Sequence, residues 1–465
     1  MSNETNLSHN EEMAYLGEKP VWKLLWQFFA PAMVGMVAHT LYNLVDKIYV
    51  GQGVGQIGLG ALTVVFPIMM VGFGVTLLYG GGGAALISLR MGEGKKKAAE
   101  TFLSTSVGMS FATGLVVMAL GLIFDDELLR LFGANDELMA SAKSYLFWIL
   151  LGFPMLSCGF VMNFTIRAEG RPRTSVLIAL ISTIFNIILD PILIFGFDMG
   201  VAGAALATAI SQALTFILSI AYYLSGRSVL QIHAKYLFAK LSVMRSIFVL
   251  GLPACIADML FGAQQLFVNL KLVEHGGTVA VAAMGVVFGV MALAVMPVFA
   301  VADGLQPIVG FNFGAKLYGR VKETLVMTSI LVVLLSAIVI SPTFIWPKLF
   351  VSMFNNGDDT LLAVASRGLQ IYCWGVPMFG FCFVMTRYYQ AIGRGGKAIV
   401  ISTLKPFVLF VPPLYILAAI WGLDGVWASE PASGLLSGIV VGLILIAELR
   451  VVREEHEVAV ERVGV

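Results

Sequence analysis

A few polar side chains interrupt otherwise apolar runs, and their types describe one kind of chemistry. Asp46 lies within the run from Trp22 to Val50, in Leu41-Tyr-Asn-Leu-Val-Asp-Lys-Ile-Tyr-Val50. Asn186 and Asp190 sit four apart in another run, Thr208 and Gln212 four apart in a third, and Asn163 lies in a fourth. A carboxylate in a membrane-spanning helix costs at least a few kcal/mol and is seldom kept without a partner or a pathway. Two carboxylates close together and out of water favour the neutral acid, so such a pair takes up and releases protons. Residues three, four and seven apart share a helix face, which puts His39, Tyr42 and Asn43 beside Asp46. The expected cation-coupling set is therefore Asp46, Asn186, Asp190 and Thr208. Tyr42, Asn163, His39, Asn43 and Gln212 are expected to line the adjoining cavity, with His39 reading first as a helix–helix hydrogen-bonder. The competing reading pairs Asp46 with Lys47, but adjacent residues point about 100° apart round a helix.

The second half holds secondary candidates. Asp258, Gln265 and Asn269 fall on one face, and Asp303 and Gln306 lie one turn apart. The alternative for Asp303 is that it ties the following Gly304–Gly314 stretch together.

These residues need elements to hold them. A spanning helix takes about 20 apolar residues. The chain offers twelve such segments: 22–50, 58–88, 101–124, 143–166, 174–197, 201–224, 245–273, 279–312, 324–349, 362–391, 397–420 and 426–449. Many contain proline, among them Pro31, Pro154, Pro191, Pro253, Pro297 and Pro377. Membrane bundles tolerate interior proline because neighbours re-satisfy the freed backbone groups. Basic residues collect in the loops after even-numbered segments, such as Arg90 with Lys95–Lys97, and Arg167 with Arg171 and Arg173. The loop at 51–58 has none, and Asp125-Asp-Glu127 is acidic. Basic loops stay cytoplasmic, so both termini are expected in the cytoplasm of a multi-pass plasma-membrane protein. The first twenty residues lack the apolar core of a signal peptide, so the first segment is expected to direct insertion.

Composition agrees. Of 465 residues, 58% are hydrophobic and 12% charged, against about 25% charged in soluble proteins. A net charge of +1 gives no nucleic-acid footprint. The four cysteines lie in apolar segments without disulfide or zinc spacing. Gly80–Gly83 lacks the Gly-Lys-Ser/Thr of a phosphate loop. The many methionines and phenylalanines suit helix packing and an adaptable cavity wall.

The chain also repeats itself. Gly152-Phe-Pro-Met returns in the second half as Gly375-Val-Pro-Met, and Phe160-Val-Met returns at the same offset as Phe383-Val-Met. Pro31-Ala and Val64-Val-Phe share an offset shorter by one, returning as Pro253-Ala and Val286-Val-Phe. A six-helix unit is used twice, entering from the same side. Asp46 aligns with Val268, Asp190 with Pro412 or Pro413, and Asp258 and Asp303 with Met36 and Gly81. The ionisable residues are thus asymmetric on a symmetric frame, and a residue present in one copy only is a candidate for function.

Several motifs together resemble the MATE (multidrug and toxic compound extrusion) transporters, most closely the DinF-like and MepA-like branches. They are Pro31 with Tyr42-Asn-Leu-Val-Asp46, Arg167-Ala-Glu-Gly-Arg171, Phe185-Asn-Ile-Ile-Leu-Asp-Pro191, Gly200-Val-Ala-Gly-Ala-Ala and Gln306-Pro-Ile-Val-Gly-Phe-Asn-Phe-Gly-Ala315. The resemblance implies an all-α fold of twelve transmembrane helices in two six-helix lobes related by a pseudo-two-fold axis. It implies an N-lobe cation site at Asp46, Asn186, Asp190 and Thr208, taking a proton or sodium, with Tyr42 and Asn163 nearby. The sequence departs from the branch that uses acids in the second lobe: segment 7 has only Asp258, and segment 10 has no acid from Cys373 to Gln390. The expected lobes are 1–224 and 245–465, joined by a basic linker at 225–244. The expected function is secondary antiport, exporting cationic or amphipathic organic compounds against proton or sodium entry, by a monomer without cofactor. The alternative on the same fold is a lipid flippase, which needs a cavity rich in basic residues for phosphate; the apolar cores show few, with Lys271 and Lys405 the exceptions. An intramembrane enzyme lacks a reactive set.

Overall fold

In hydrocarbon a chain must satisfy its own backbone hydrogen bonds, and a long apolar run does so as a helix. The computed structural model describes residues 15–132, 134, 136–352 and 359–463. Within these, the side chains of His39, Asn43, Leu44, Lys47, Gln56, Asp258, Leu293, Leu449 and 451–463 lie outside the description. The described residues are nearly all helical, without strands, and twelve helices are long and apolar enough to cross a membrane. They are α1 (Val21–Gly53), α2 (Gln56–Gly92), α3 (Lys96–Ile123), α4 (Asp136–Ala168), α5 (Pro172–Pro191), α6 (Gly200–Leu224), α7 (241–276), α8 (278–314), α9 (Tyr318–Ile345), α10 (Asp359–Ala391), α11 (Gly395–Trp421) and α12 (Leu423–Val463). α7 and α8 run on without a loop, divided only at Gly277, whose φ of 62° favours a residue without a side chain.

Two helices contain a wider π turn. One, Ile192–Gly196, follows directly on Asp190-Pro191, and the other, Leu404–Val408, contains Lys405 and Pro406. Proline has no N–H to donate, so the regular ladder breaks there. Such π turns recur at functional sites, and both here carry or abut a buried charge.

The chain forms two compact units: Pro31–Gly251 with Tyr15, and Leu16–Ala30 with Leu252–Val465. The expected boundary at 224/245 is therefore moved, and the divides fall just ahead of the repeat-related Pro31 and Pro253. Close contacts explain both shifts. An added Cβ on Gly82 would meet the Ile247 carbonyl oxygen at 2.1 Å, and one on Gly251 the Leu78 carbonyl oxygen at 1.7 Å, so the start of α7 belongs with α2. Small residues of this kind let membrane helices approach backbone to backbone. In the second unit, Asn312 Nδ2 and Arg320 Nη2 both donate to the Leu16 carbonyl, at 3.0 and 3.1 Å, and so hold the segment that leads into α1.

The linker after α6 packs within the first unit. Thr105 donates to the Tyr236 carbonyl (2.8 Å), the His233 N–H donates to Ser104 (3.0 Å), and His233 Nε2 lies 3.2 Å from Glu100. The apolar core of this unit gathers Val50, Val64, Val65, Leu146, Ile149 and Ala204. Two cores serve the second unit, one around Trp427, Phe410 and Met284, the other around Tyr388, Tyr389 and Val298.

Candidate functional site

The polar residues of α5 gather on its inner face. Ser182, Asn186 and Asp190, four apart, are 6%, 2% and 0% exposed, while Ile184 and Ile188 turn outward at 55% and 56%. This inverts the soluble pattern, as a helix with lipid on its outer side requires. Asn186 Nδ2 donates to Asp190 Oδ1 at 3.3 Å. Among the described residues, no protein group hydrogen-bonds the buried Asp190 Oδ2, Asn186 Oδ1, Ser182 Oγ or Ser211 Oγ.

Asp46, buried on α1, lies within Coulombic reach of Asp190. Tyr42 on α1 and Tyr145 on α4 are both close enough to feel the two carboxylates. Thr208 and Ser211 of α6 are buried, and Gln212 is half-buried. The donor set is thus two carboxylates with amide and hydroxyl oxygens. Such oxygens fit a proton or a hard cation and offer nothing to a soft metal. No cluster of three or more His, Cys, Asp or Glu suited to a metal occurs among the described residues. Asn163 instead exchanges two hydrogen bonds with Ser175, donating to its carbonyl (2.9 Å) and accepting from its hydroxyl (2.6 Å), which ties α4 to α5. The side chains of His39 and Asn43 lie outside the description.

The second unit holds charges of a different kind. Arg387 Nη2 lies 2.9 Å from Asp303 Oδ1, and both side chains are largely buried. Asp303 therefore joins α8 to α10. Lys405 Nζ lies 2.6 Å from Glu430 Oε1, and Gln264 Nε2 donates to Glu430 Oε2 at 3.2 Å. Of the expected candidates, Gln306 is buried, Gln265 half-buried and Asn269 exposed; the Asp258 side chain is outside the description. Lys271 pairs with Glu274 at 2.6 Å, so both lysines that left a phosphate-binding reading open carry carboxylate partners.

Two further carboxylates lie buried where apolar spans end. Glu448 receives Arg394 (2.6 Å), Lys397 (3.0 Å) and the Tyr389 hydroxyl (2.9 Å). Glu169, between α4 and α5, accepts from Ser228 at 2.7 Å and from Tyr222. Burial pushes its carboxyl up to about 7, against the opposing pull of those hydroxyls, the Leu230 N–H and Arg171. Tyr145, Gln264, Glu430 and Arg387 were not singled out from the sequence. The usable signal was an acid or a base standing alone in an apolar run, which Glu430 and Arg387 both satisfy.

A bundle of apolar helices, built from one unit used twice, with ionisable groups buried inside the spans, defines a membrane carrier. The sequence profile of the MatE family matches residues 31–192 and again 253–416, the two matches opening at the repeat-related Pro31 and Pro253, and the chain belongs to that family. It is a transporter and not an enzyme. It is 28% identical over 439 residues to the multidrug export protein MepA of Staphylococcus aureus strain NCTC 8325, across 94% of this chain and 96% of that one. The MepA of Staphylococcus saprophyticus is 27% identical with the same coverage. The fold matches that of a multidrug resistance MATE transporter of the MOP superfamily, solved in an outward-facing conformation (TM-score 0.89, 23% identity, covering 94% of this chain and 98% of that one). It also matches a MOP superfamily transporter from Pyrococcus furiosus, described as having a binding pocket of reversed polarity (TM-score 0.88, 23% identity, 95% and 98%).

Proposed function

We propose that this multidrug efflux transporter is a secondary antiporter, exporting cationic or amphipathic organic compounds in exchange for inward-moving protons or sodium ions. The observation that carries the reading is the buried Asp46–Asp190 pair, with Asn186 donating to Asp190 and with Tyr42 and Tyr145 within Coulombic reach of both carboxylates. With these carboxylates ionised, the carrier attracts a cationic substrate. A coupling cation from outside neutralises them, the attraction is lost, and α1 bends near Pro31. The carrier then returns, and the cation leaves on the cytoplasmic side. The distribution of loop charge supports a plasma-membrane location with both termini in the cytoplasm. One charge crossing 100 mV supplies about 2.3 kcal/mol, which sustains a gradient on the order of fifty-fold. The flippase reading is set aside, since Lys271 and Lys405 are both paired with carboxylates and the matched relatives are multidrug exporters by name.

The test is dye export in energised inverted vesicles. The Asp46→Asn variant should lose gradient-driven export while remaining monodisperse in detergent. Export at the wild-type rate would discard the cycle.

A further inference from the structure

Gln264 and Glu430 of the second unit are the repeat partners of Tyr42 and Thr208, in the register that aligns Pro31 with Pro253 and Gly200 with Gly422. Tyr42 stands within Coulombic reach of the first unit's two carboxylates, and Thr208 is buried on α6 where the sequence analysis expects a member of the same site. Glu430 and Gln264 therefore stand where the first unit builds for a cation, and here a cation is already attached. Lys405 reaches in from the π turn of α11, sets its ammonium 2.6 Å from Glu430, and lies 5.1 Å from the ring centroid of Phe379. A carboxylate and an aromatic face converging on one nitrogen are the chemistry that recognises an organic cation.

The arrangement is repeated one turn along. Phe383 stacks on Phe379 (centroids 6.4 Å apart, planes at 13°), and Phe299 meets both edge-on at 4.7 and 5.9 Å. Arg387 covers Phe383 at 4.9 Å and pairs with Asp303. The three phenylalanines are only partly buried, although the charges beside them are almost fully so. Charged side chains inside a spanning bundle are costly and mark function by default. None of the four has a charged counterpart in the first unit: Lys405 aligns with Ser182 or Thr183, Arg387 with Phe164, Asp303 with Gly81 and Glu430 with Thr208.

We infer that Glu430, Gln264 and the face of Phe379 form an organic-cation site in the second unit, which Lys405 fills between transport events and yields to the cationic group of a substrate. This rests on the export reading above and names where such a substrate binds. Lysine suits the task, since its ammonium is a point charge on a flexible stem. The π turn that carries it interrupts the regular α-helix, and such turns recur at functional sites. An internal occupant present nine-tenths of the time weakens substrate binding about tenfold.

The experiment measures binding of ethidium, a planar organic cation, to the purified full-length protein by fluorescence. Nile red serves as a neutral control. Lys405→Met should tighten ethidium binding about tenfold by removing the competitor, and Lys405→Met with Glu430→Gln should abolish that gain. Phe379→Leu, which leaves the ion pair intact, should weaken ethidium several-fold with Nile red unmoved. Unchanged ethidium affinity in Phe379→Leu overturns the inference, including where Lys405→Met does not fold. So does unchanged or weaker affinity in a monodisperse Lys405→Met protein. Gradient-driven ethidium export by the wild type, measured alongside, separates the two claims. If export persists with these affinities unmoved, only the site is wrong; if the wild type exports no ethidium under either a pH or a sodium gradient, the export reading and the site both fall.

Discussion

Glu169 offers a prediction whose size follows from its surroundings. It is 1% exposed, it accepts hydrogen bonds from Tyr222 and Ser228, and its carboxyl sits at about 7 where an ordinary one is at 4.5. Between those two pH values the folded protein holds a proton that the unfolded chain has released. Stability from this group is therefore full below about pH 4.5 and is lost as pH rises through 7. A displacement of that size corresponds to about 3 kcal/mol, at about 1.4 kcal/mol per pH unit. Glu169→Gln mimics the neutral acid and still offers an oxygen to Tyr222. The variant should match the wild type near pH 5 and exceed it by about 3 kcal/mol at pH 8. The assay is thermal or denaturant unfolding in detergent across that range, read as the difference between the two proteins. Parallel pH profiles would refute the reasoning, as would a variant that is less stable at pH 8. Because Ser228 and the Leu230 N–H belong to the segment after α6, proteolysis there should also become more pronounced with rising pH in the wild type alone.

Two further substitutions probe packing and charge. Gly251→Val drives a side chain into the Leu78 carbonyl and should abolish a monodisperse detergent peak, whereas Gly442→Ala, with nothing within 4 Å, should behave as wild type. Glu430→Gln strands a buried ammonium and should cost on the order of 3–5 kcal/mol, while Glu430→Gln with Lys405→Met should recover most of that loss; equal melting temperatures for single and double variants would show that the pair is not coupled.

Much of the fold was legible in the sequence, since apolar length alone specifies spanning helices and the return of Gly152-Phe-Pro-Met as Gly375-Val-Pro-Met exposes the duplication. Asp46 and Asp190 were legible for the same reason: each is an acid in a run that should have none. What spacing could not supply was helix rotation. Gln265 was the expected candidate on α7, through its spacing to Asp258 and Asn269, yet it is the adjacent Gln264 that reaches Glu430. Neighbouring residues point about 100° apart, and tilt and rotation are set by packing against other helices. Tyr145 was missed because a tyrosine among apolar residues reads as filler until its neighbours are known. The unit boundaries were missed because glycine contacts, and not loop composition, assign the start of α7 to the first unit.

Coupling through the carboxylate pair of the first unit is read out by reconstituted transport with pH and sodium gradients imposed separately. At least one gradient should drive concentrative substrate movement in the wild type, and Asp190→Asn and Asp46→Asn should each abolish the response to it while substrate still equilibrates. Concentrative transport that persists at the wild-type rate in either variant would contradict that coupling.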